Sequence, residues 1–167
     1  MVGIKNKAVF LDRDGVINLE RGRYTCKPDD FILNEGIAES VKVLNDSGFL
    51  VIVISNQGGI AKSLYAISDV LDIHEKFCDL LKETDAVIDD FFFCPHHDSI
   101  SNCLCRKPGS LLFEKAIAIY NIDSSKSFMI GDSERDVQAA EKLGIKGILI
   151  HANENIFNIC KEISEKL

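Results

Sequence analysis

The stretch VFLDRDGVIN, residues 9–18, decides the fold. It carries an apolar run that begins at Ala8 straight into two aspartates, Asp12 and Asp14, which flank Arg13 and precede Gly15. An unbroken apolar run of this length suits a strand covered on both faces, because an alternating pattern would mark a strand with one wet face. Four more runs of the same kind follow, namely FLVIVIS (49–55), FFFC (91–94), SFMIG (127–131) and KGILI (146–150). Helical patterns lie between them. In GIAESVKVLNDSG, Ile37, Val41 and Leu44 form a stripe and Gly48 is a stop. SDVLDIHEKFCDLLKE is expected to open with Ser68 as N-cap and to bury Leu71, Phe77 and Leu81. SLLFEKAIAIYN, SERDVQAAEKLG (ended by Gly144) and the tail NENIFNICKEISEKL complete the set. Strands alternating with helices predict a three-layer α/β/α sandwich around a mainly parallel, Rossmann-like sheet.

Bulk properties narrow the class. The 167 residues fit a single domain spanning 1–167, with no linker or repeat to divide it. No apolar run is long enough for a membrane helix. The segment MVGIKNKAVF lacks the long apolar core of an export signal, so a cytoplasmic protein is expected. The net charge of −7, from 26 acidic and 19 basic residues, opposes a broad nucleic-acid surface, and no membrane partner is expected. Nothing in the pattern demands more than a monomer. Six cysteines without an export signal argue against a disulfide framework.

In open parallel sheets, ligands gather at the carboxyl ends of the strands. Asp12 ends the first predicted strand, Ser55 the second and Gly131-Asp132 the fourth, while Lys107 precedes the helix before that fourth strand. Asp12 and Asp14 would share a side if the extended path continued past Leu11. Crowded carboxylates need a divalent cation, and hard oxygen donors suit Mg²⁺, with Asp132 as the third acid. A cation, a lysine and a serine hydroxyl are the equipment of phosphoryl transfer, where the task is to place a nucleophile and neutralise phosphoryl oxygens.

FLDRDGVIN, ISNQGGIAK, CRKP and GDSERD, in this order, resemble the four signature motifs of the haloacid dehalogenase superfamily of phosphatases. The resemblance covers residues 8–150. It implies a parallel sheet of at least five strands, a short flap after the first and no large cap domain. It also implies roles: Asp12 as nucleophile through an aspartyl-phosphate, and Asp14 as general acid and then base. Mg²⁺ would be held by the carboxylates of Asp12 and Asp132 and the main-chain carbonyl of Asp14. Ser55 and the Asn56 N–H would meet a phosphoryl oxygen, Lys107 would balance charge, and Asp136 would support Lys107 or a metal-bound water.

Three of the six cysteines lie in CPHHDSISNCLCRKP. Cys94, Cys103 and Cys105 with one of two adjacent histidines form a set suited to tetrahedral Zn²⁺ in a closed structural site. The family pattern selects His96 over His97. Cys26, Cys78 and Cys160 have no partner pattern, the last two being expected to pack within helices. His74 and His151 are expected to be structural. A zinc loop at this place implies two sister groups, the D,D-heptose 1,7-bisphosphate phosphatases and the histidinol-phosphate phosphatases. NQGGIAK and CPHH look more like the first, which supplies precursors of nucleotide-activated heptose for surface glycans. The six residues between His96 and Cys103 lie nearer the second. Substrate contacts are expected from Arg13, Arg21, Gly22, Arg23, Tyr24, Asn56, Gln57, Gly58, Arg106 and Lys107, with Lys62 as a further candidate. Ser133 stands where the heptose enzymes tend to carry a lysine. The implied reaction is removal of the C7 phosphate of a sugar bisphosphate, with histidinol phosphate as the alternative substrate. An inactive zinc-loop binding module is the remote reading of another class, opposed by the presence of Asp12.

Overall fold

The computed structural model describes residues 5–166. Residues 1–4, where the segment MVGIKNKAVF begins, and Leu167 lie outside the described residues. Five strands, β1 (Lys7–Leu11), β2 (Phe49–Asn56), β3 (Asp90–Cys94), β4 (Phe128–Gly131) and β5 (Lys146–Leu149), form one sheet in the order β3-β2-β1-β4-β5. Every pairing is parallel. Five helices connect or follow them: α1 (Ile37–Asp46), α2 (Ile67–Leu81), α3 (Leu111–Tyr120), α4 (Glu134–Glu141) and α5 (Phe157–Lys166).

The continuous apolar runs divide by residue parity into two cores, as the period of a strand requires. Val9, Leu11, Val51 and Val53 face α1, α2 and α5, meeting Val41, Phe77 and Ile163. Ala8, Phe10, Ile52 and Ile54 face α3 and α4, where Phe10 meets Phe113 edge-on at 5.1 Å. Full burial of one such side chain stabilises by about 1.5–3 kcal/mol. The three-layer sandwich therefore stands as expected.

Three local expectations fail in α2. The helix begins at Ile67, not after Ser68, because the Asp69 carboxylate reaches back to the Ala66 N–H at 2.7 Å and caps the first turn. The buried face is then Val70, Ile73, His74, Phe77 and Leu81, while Leu71 is exposed. One step along a helix turns a side chain by about 100°, so Leu71 falls off the stripe that Val70 and Ile73 define. Cys78 is also exposed, one step beyond buried Phe77. Cys160 is buried as expected.

Between β1 and α1 the chain makes a short flap without a cap domain. It is stapled to the rim beyond β5, where the Asn153 side chain accepts from the Glu20 N–H at 2.7 Å and donates to the Glu20 carbonyl at 3.1 Å.

Candidate active site

The carboxyl ends of β1, β2 and β4 open on a cleft of about 490 Å³, lined by Asp12, Asp14, Glu20, Gly22, Arg23, Tyr24, Asn56, Gly58, Arg106, Lys107, Asp132 and Arg135. At its floor, Lys107 Nζ lies 2.8 Å from Asp12 Oδ1 and 2.7 Å from Asp136 Oδ1, and donates to the Ile54 carbonyl at 2.7 Å. All three charged side chains are buried. Burial raises the Asp12 carboxyl to about 7, an effect Lys107 opposes and Asp136 reinforces. Burial works against the Lys107 charge, yet Asp12 and Asp136 outweigh it and raise its pKa. Asp136 is fixed at its other oxygen by the Ser133 N–H at 3.1 Å, a cap on the first turn of α4. Asn56 holds the Lys107 backbone from both sides, through the Lys107 N–H at 3.0 Å and the Lys107 carbonyl at 3.1 Å. Asp136 is thus the second carboxylate that Lys107 meets.

The extended path does not continue past Leu11. Arg13 starts a turn closed by Ile17 and Asn18 N–H groups on its carbonyl, at 2.8 and 3.0 Å. Asp14 still lines the same cleft as Asp12, and its carboxylate has partners of its own. Arg13 grips it with two bonds, 3.1 and 2.9 Å, Asn18 donates at 3.1 Å and Gln57 at 3.2 Å. Tyr65 orients the Gln57 amide by donating to its oxygen at 2.8 Å.

That network corrects four expectations. Arg13 is buried and spent on Asp14 and the Thr25 carbonyl, so it faces away from the cleft. Gln57 is buried between Asp14, Tyr65 and Ser55. Ser55 lies one residue before the end of β2, which runs on to Asn56, and is buried behind the lining, with its Oγ accepting from Gln57 at 3.3 Å. Arg21 turns outward to Asp30. Gly22, Arg23, Tyr24, Asn56, Gly58, Arg106 and Lys107 do line the cleft, and Lys62 reaches it only through the Tyr24 hydroxyl at 3.2 Å. Glu20 and Arg135 were missed. A usable signal for Arg135 was its place in the first turn of a helix that starts at a strand's carboxyl end.

Ligand oxygens of Asp12, Asp132 and Asp136 fall within 4.8 Å of one another. Hard carboxylate donors fit Mg²⁺. Burial raises the Asp132 pKa, with Asp136 adding to the shift, so a cation would relieve a real electrostatic cost. Asp136 is engaged by Lys107 and Ser133, which leaves Asp12 and Asp132 as the available carboxylates.

Cys94, His96, Cys103 and Cys105 likewise offer four donors within 4.8 Å, with His96 Nδ1 3.3 Å from Cys105 Sγ and Cys94 Sγ 3.2 Å from Cys105 Sγ. His97 is turned away, its Nδ1 on Ser99 Oγ at 2.8 Å. Burial pushes the Cys94 thiol up to about 12, so a thiolate there needs a cation. Soft donors in this number fit Zn²⁺. Arg106, one residue beyond the cluster, donates to the His96 carbonyl at 3.2 Å. Gly58 permits this approach, since a Cβ there would lie 3.1 Å from Arg106 Nη1 and 2.8 Å from the His97 ring.

The HAD-hydrolase-like family model matches residues 104–155. The chain is 38% identical to a D-glycero-beta-D-manno-heptose-1,7-bisphosphate 7-phosphatase of Haemophilus ducreyi over 84% of this chain and 80% of that protein. The chain belongs to the haloacid dehalogenase-like phosphatases. A second relative, the D-glycero-D-manno-heptose-1,7-bisphosphate 7-phosphatase of Chlorobaculum tepidum, is 34% identical over 93% of this chain and 84% of its own length. Among solved structures, the fold is similar to the D,D-heptose 1,7-bisphosphate phosphatase from B. bronchiseptica, complexed with magnesium and phosphate. The TM-score is 0.84 at 30% identity, covering 93% of this chain and 86% of that one. This haloacid dehalogenase-like phosphatase has no helix, among the described residues, long and apolar enough to cross a membrane.

Proposed function

We propose that the protein is a Mg²⁺-dependent phosphomonoesterase that removes the C7 phosphate of D-glycero-D-manno-heptose 1,7-bisphosphate, acting as a cytoplasmic monomer of one domain. The observation that carries the reading is buried Lys107 bridging Asp12 and Asp136 at the floor of a cleft whose walls also bring Arg23, Arg106 and Arg135. The names of the sequence relatives favour the heptose substrate.

Asp12 attacks phosphorus through a carboxylate oxygen, forming an aspartyl-phosphate as the C7–O oxygen leaves. Asp14, held by Arg13, Asn18 and Gln57, gives its proton to that oxygen. It then takes a proton from the water that attacks the phospho-enzyme, which frees Asp12 and inorganic phosphate. Such acid–base assistance contributes about 10²- to 10⁴-fold. Lys107 balances charge on Asp12 and the phosphoryl group, and the Asn56 N–H meets a phosphoryl oxygen. Asp12, Asp132 and the Asp14 carbonyl would hold Mg²⁺, which would offset the negative charge gathered there. Cys94, His96, Cys103 and Cys105 would hold Zn²⁺, which would brace the loop that presents Arg106.

The test is phosphate release from heptose 1,7-bisphosphate and from histidinol phosphate at matched Mg²⁺. The expected result favours the heptose substrate in kcat/KM by at least about tenfold. The reverse preference would replace it with histidinol phosphate, and an Asp12→Asn variant that keeps turning over would remove the nucleophile.

A further inference from the structure

Four cations line the cleft, and three are already committed. Lys107 is locked between Asp12 and Asp136. Arg106 is tied to the His96 carbonyl and lies near Asp98. Arg23 pairs with Asp30 at 3.2 Å. Arg135 is exposed, and its side chain makes no hydrogen bond or ion pair among the described residues. Its charge is felt by Asp132, whose carboxyl it helps hold down.

The sheet order gives this cation a definite side. Arg106 comes from the loop after β3, and Arg135 from the helix after β4; β3 and β4 stand on opposite sides of β1, which leads directly into Asp12. The two guanidiniums therefore approach the Asp12 end of the cleft from opposite flanks. The cleft also holds four carboxylates, Asp12, Asp14, Glu20 and Asp132. A substrate with a second phosphate adds about two more negative charges. Lys107 serves the reacting group, so the second phosphate needs a cation of its own. Guanidinium is suited to that task because it can bond two phosphate oxygens at once.

We infer that Arg135 is a specificity-determining residue that grips the phosphate which is not cleaved, from the flank opposite Arg106. This rests on the bisphosphate reading above and assigns the site one more substrate contact.

The experiment compares KM for the 1,7-bisphosphate with KM for the same sugar phosphorylated at carbon 7 alone, in wild type, Arg135→Ala and Arg135→Lys. In Arg135→Ala, the ratio of the bisphosphate KM to the monophosphate KM rises at least about tenfold over wild type, the size of one lost charged contact. Arg135→Lys recovers part of that ratio. A ratio that stays within about twofold of wild type overturns the inference, as does an equal rise in both KM values, which would put Arg135 on the reacting phosphate. Failure of the bisphosphate reading shows up earlier and elsewhere: the wild type itself would then have no preference for the bisphosphate, which would remove both.

Discussion

Lys107 Nζ sits 2.8 Å from Asp12 Oδ1, so the proposed nucleophile is charge-paired before any substrate arrives. Removing the ammonium would leave Asp12 and Asp136 buried together without compensation. Breaking a buried pair in this way costs about 3–5 kcal/mol. Lys107→Met is therefore expected to lower the melting temperature by about 6–20 °C in metal-free protein, at about 2–4 °C per kcal/mol for a chain of this size. Thermal unfolding with and without Mg²⁺ checks this. The added cation should restore part of the loss, while turnover stays below wild type.

The raised Asp12 pKa sets a pH dependence for metal binding. Below about 7 the metal-free carboxyl holds a proton that a bound cation must displace. Apparent Mg²⁺ affinity should tighten by about tenfold per pH unit from pH 5.5 to 6.5 and flatten above about 7.5. Titration calorimetry in two buffers of different ionisation enthalpy reads the released proton. Affinity independent of pH across that window would contradict it. The stability of the metal-free protein moves in the opposite direction. The Asp12 pKa is higher folded than its ordinary 3.8, so its contribution is greatest below that value and falls as pH rises toward about 7.

The Cys/His cluster should hold close to one equivalent of zinc in freshly purified protein. Cys105→Ser is expected to drop the bound zinc well below that and to raise KM more than it lowers kcat, because Arg106 follows the altered ligand directly. Elemental analysis paired with steady-state kinetics tests both halves. A variant that loses zinc but keeps its KM would detach the loop from recognition.

Gly15 lies at φ +86°, and a Cβ built there would come within 2.1 Å of Asp132 Oδ2. Gly15→Ala must therefore displace Asp132 and strain the turn, a conformational cost of about 1–3 kcal/mol. The expected outcome is a folded protein with a Mg²⁺ affinity lower by at least about tenfold, equivalent to about 1.4 kcal/mol. Near-ultraviolet circular dichroism distinguishes that result from simple unfolding.

Much of the molecule was legible because its signals are local. Unbroken apolar runs marked all five strands, and carboxylates or glycines at their ends marked the rim. The four Cys/His donors lie within twelve residues, so little chain has to fold before they meet. What escaped depended on how the chain turns. Arg13 sits inside the signature yet faces inward, because the turn at 13–18 brings its guanidinium onto Asp14 and the Thr25 carbonyl. Gln57 and Arg21 were lost to cleft contact in the same way, each captured by a nearby partner. Leu71 was misplaced because it lies six positions, about 240° of helix, from Phe77, whereas Val70 lies seven positions away on the buried face. Arg135 went unseen because it shares a segment with two aspartates whose charges dominate the local pattern.

The strand order separates two kinds of labour. Asp12, Asp132 and Gly131 come from β1 and β4, interior members flanked on both sides, whereas the cysteine loop and Arg106 hang from β3 at the border of the sheet. A border strand has one neighbour to satisfy, so insertions and deletions beyond it disturb few backbone pairings. The loop can lengthen, shorten or change its cationic tip while the acidic centre keeps its register. Selectivity in such a scaffold can drift between small phosphorylated compounds without the hydrolytic apparatus having to be rebuilt.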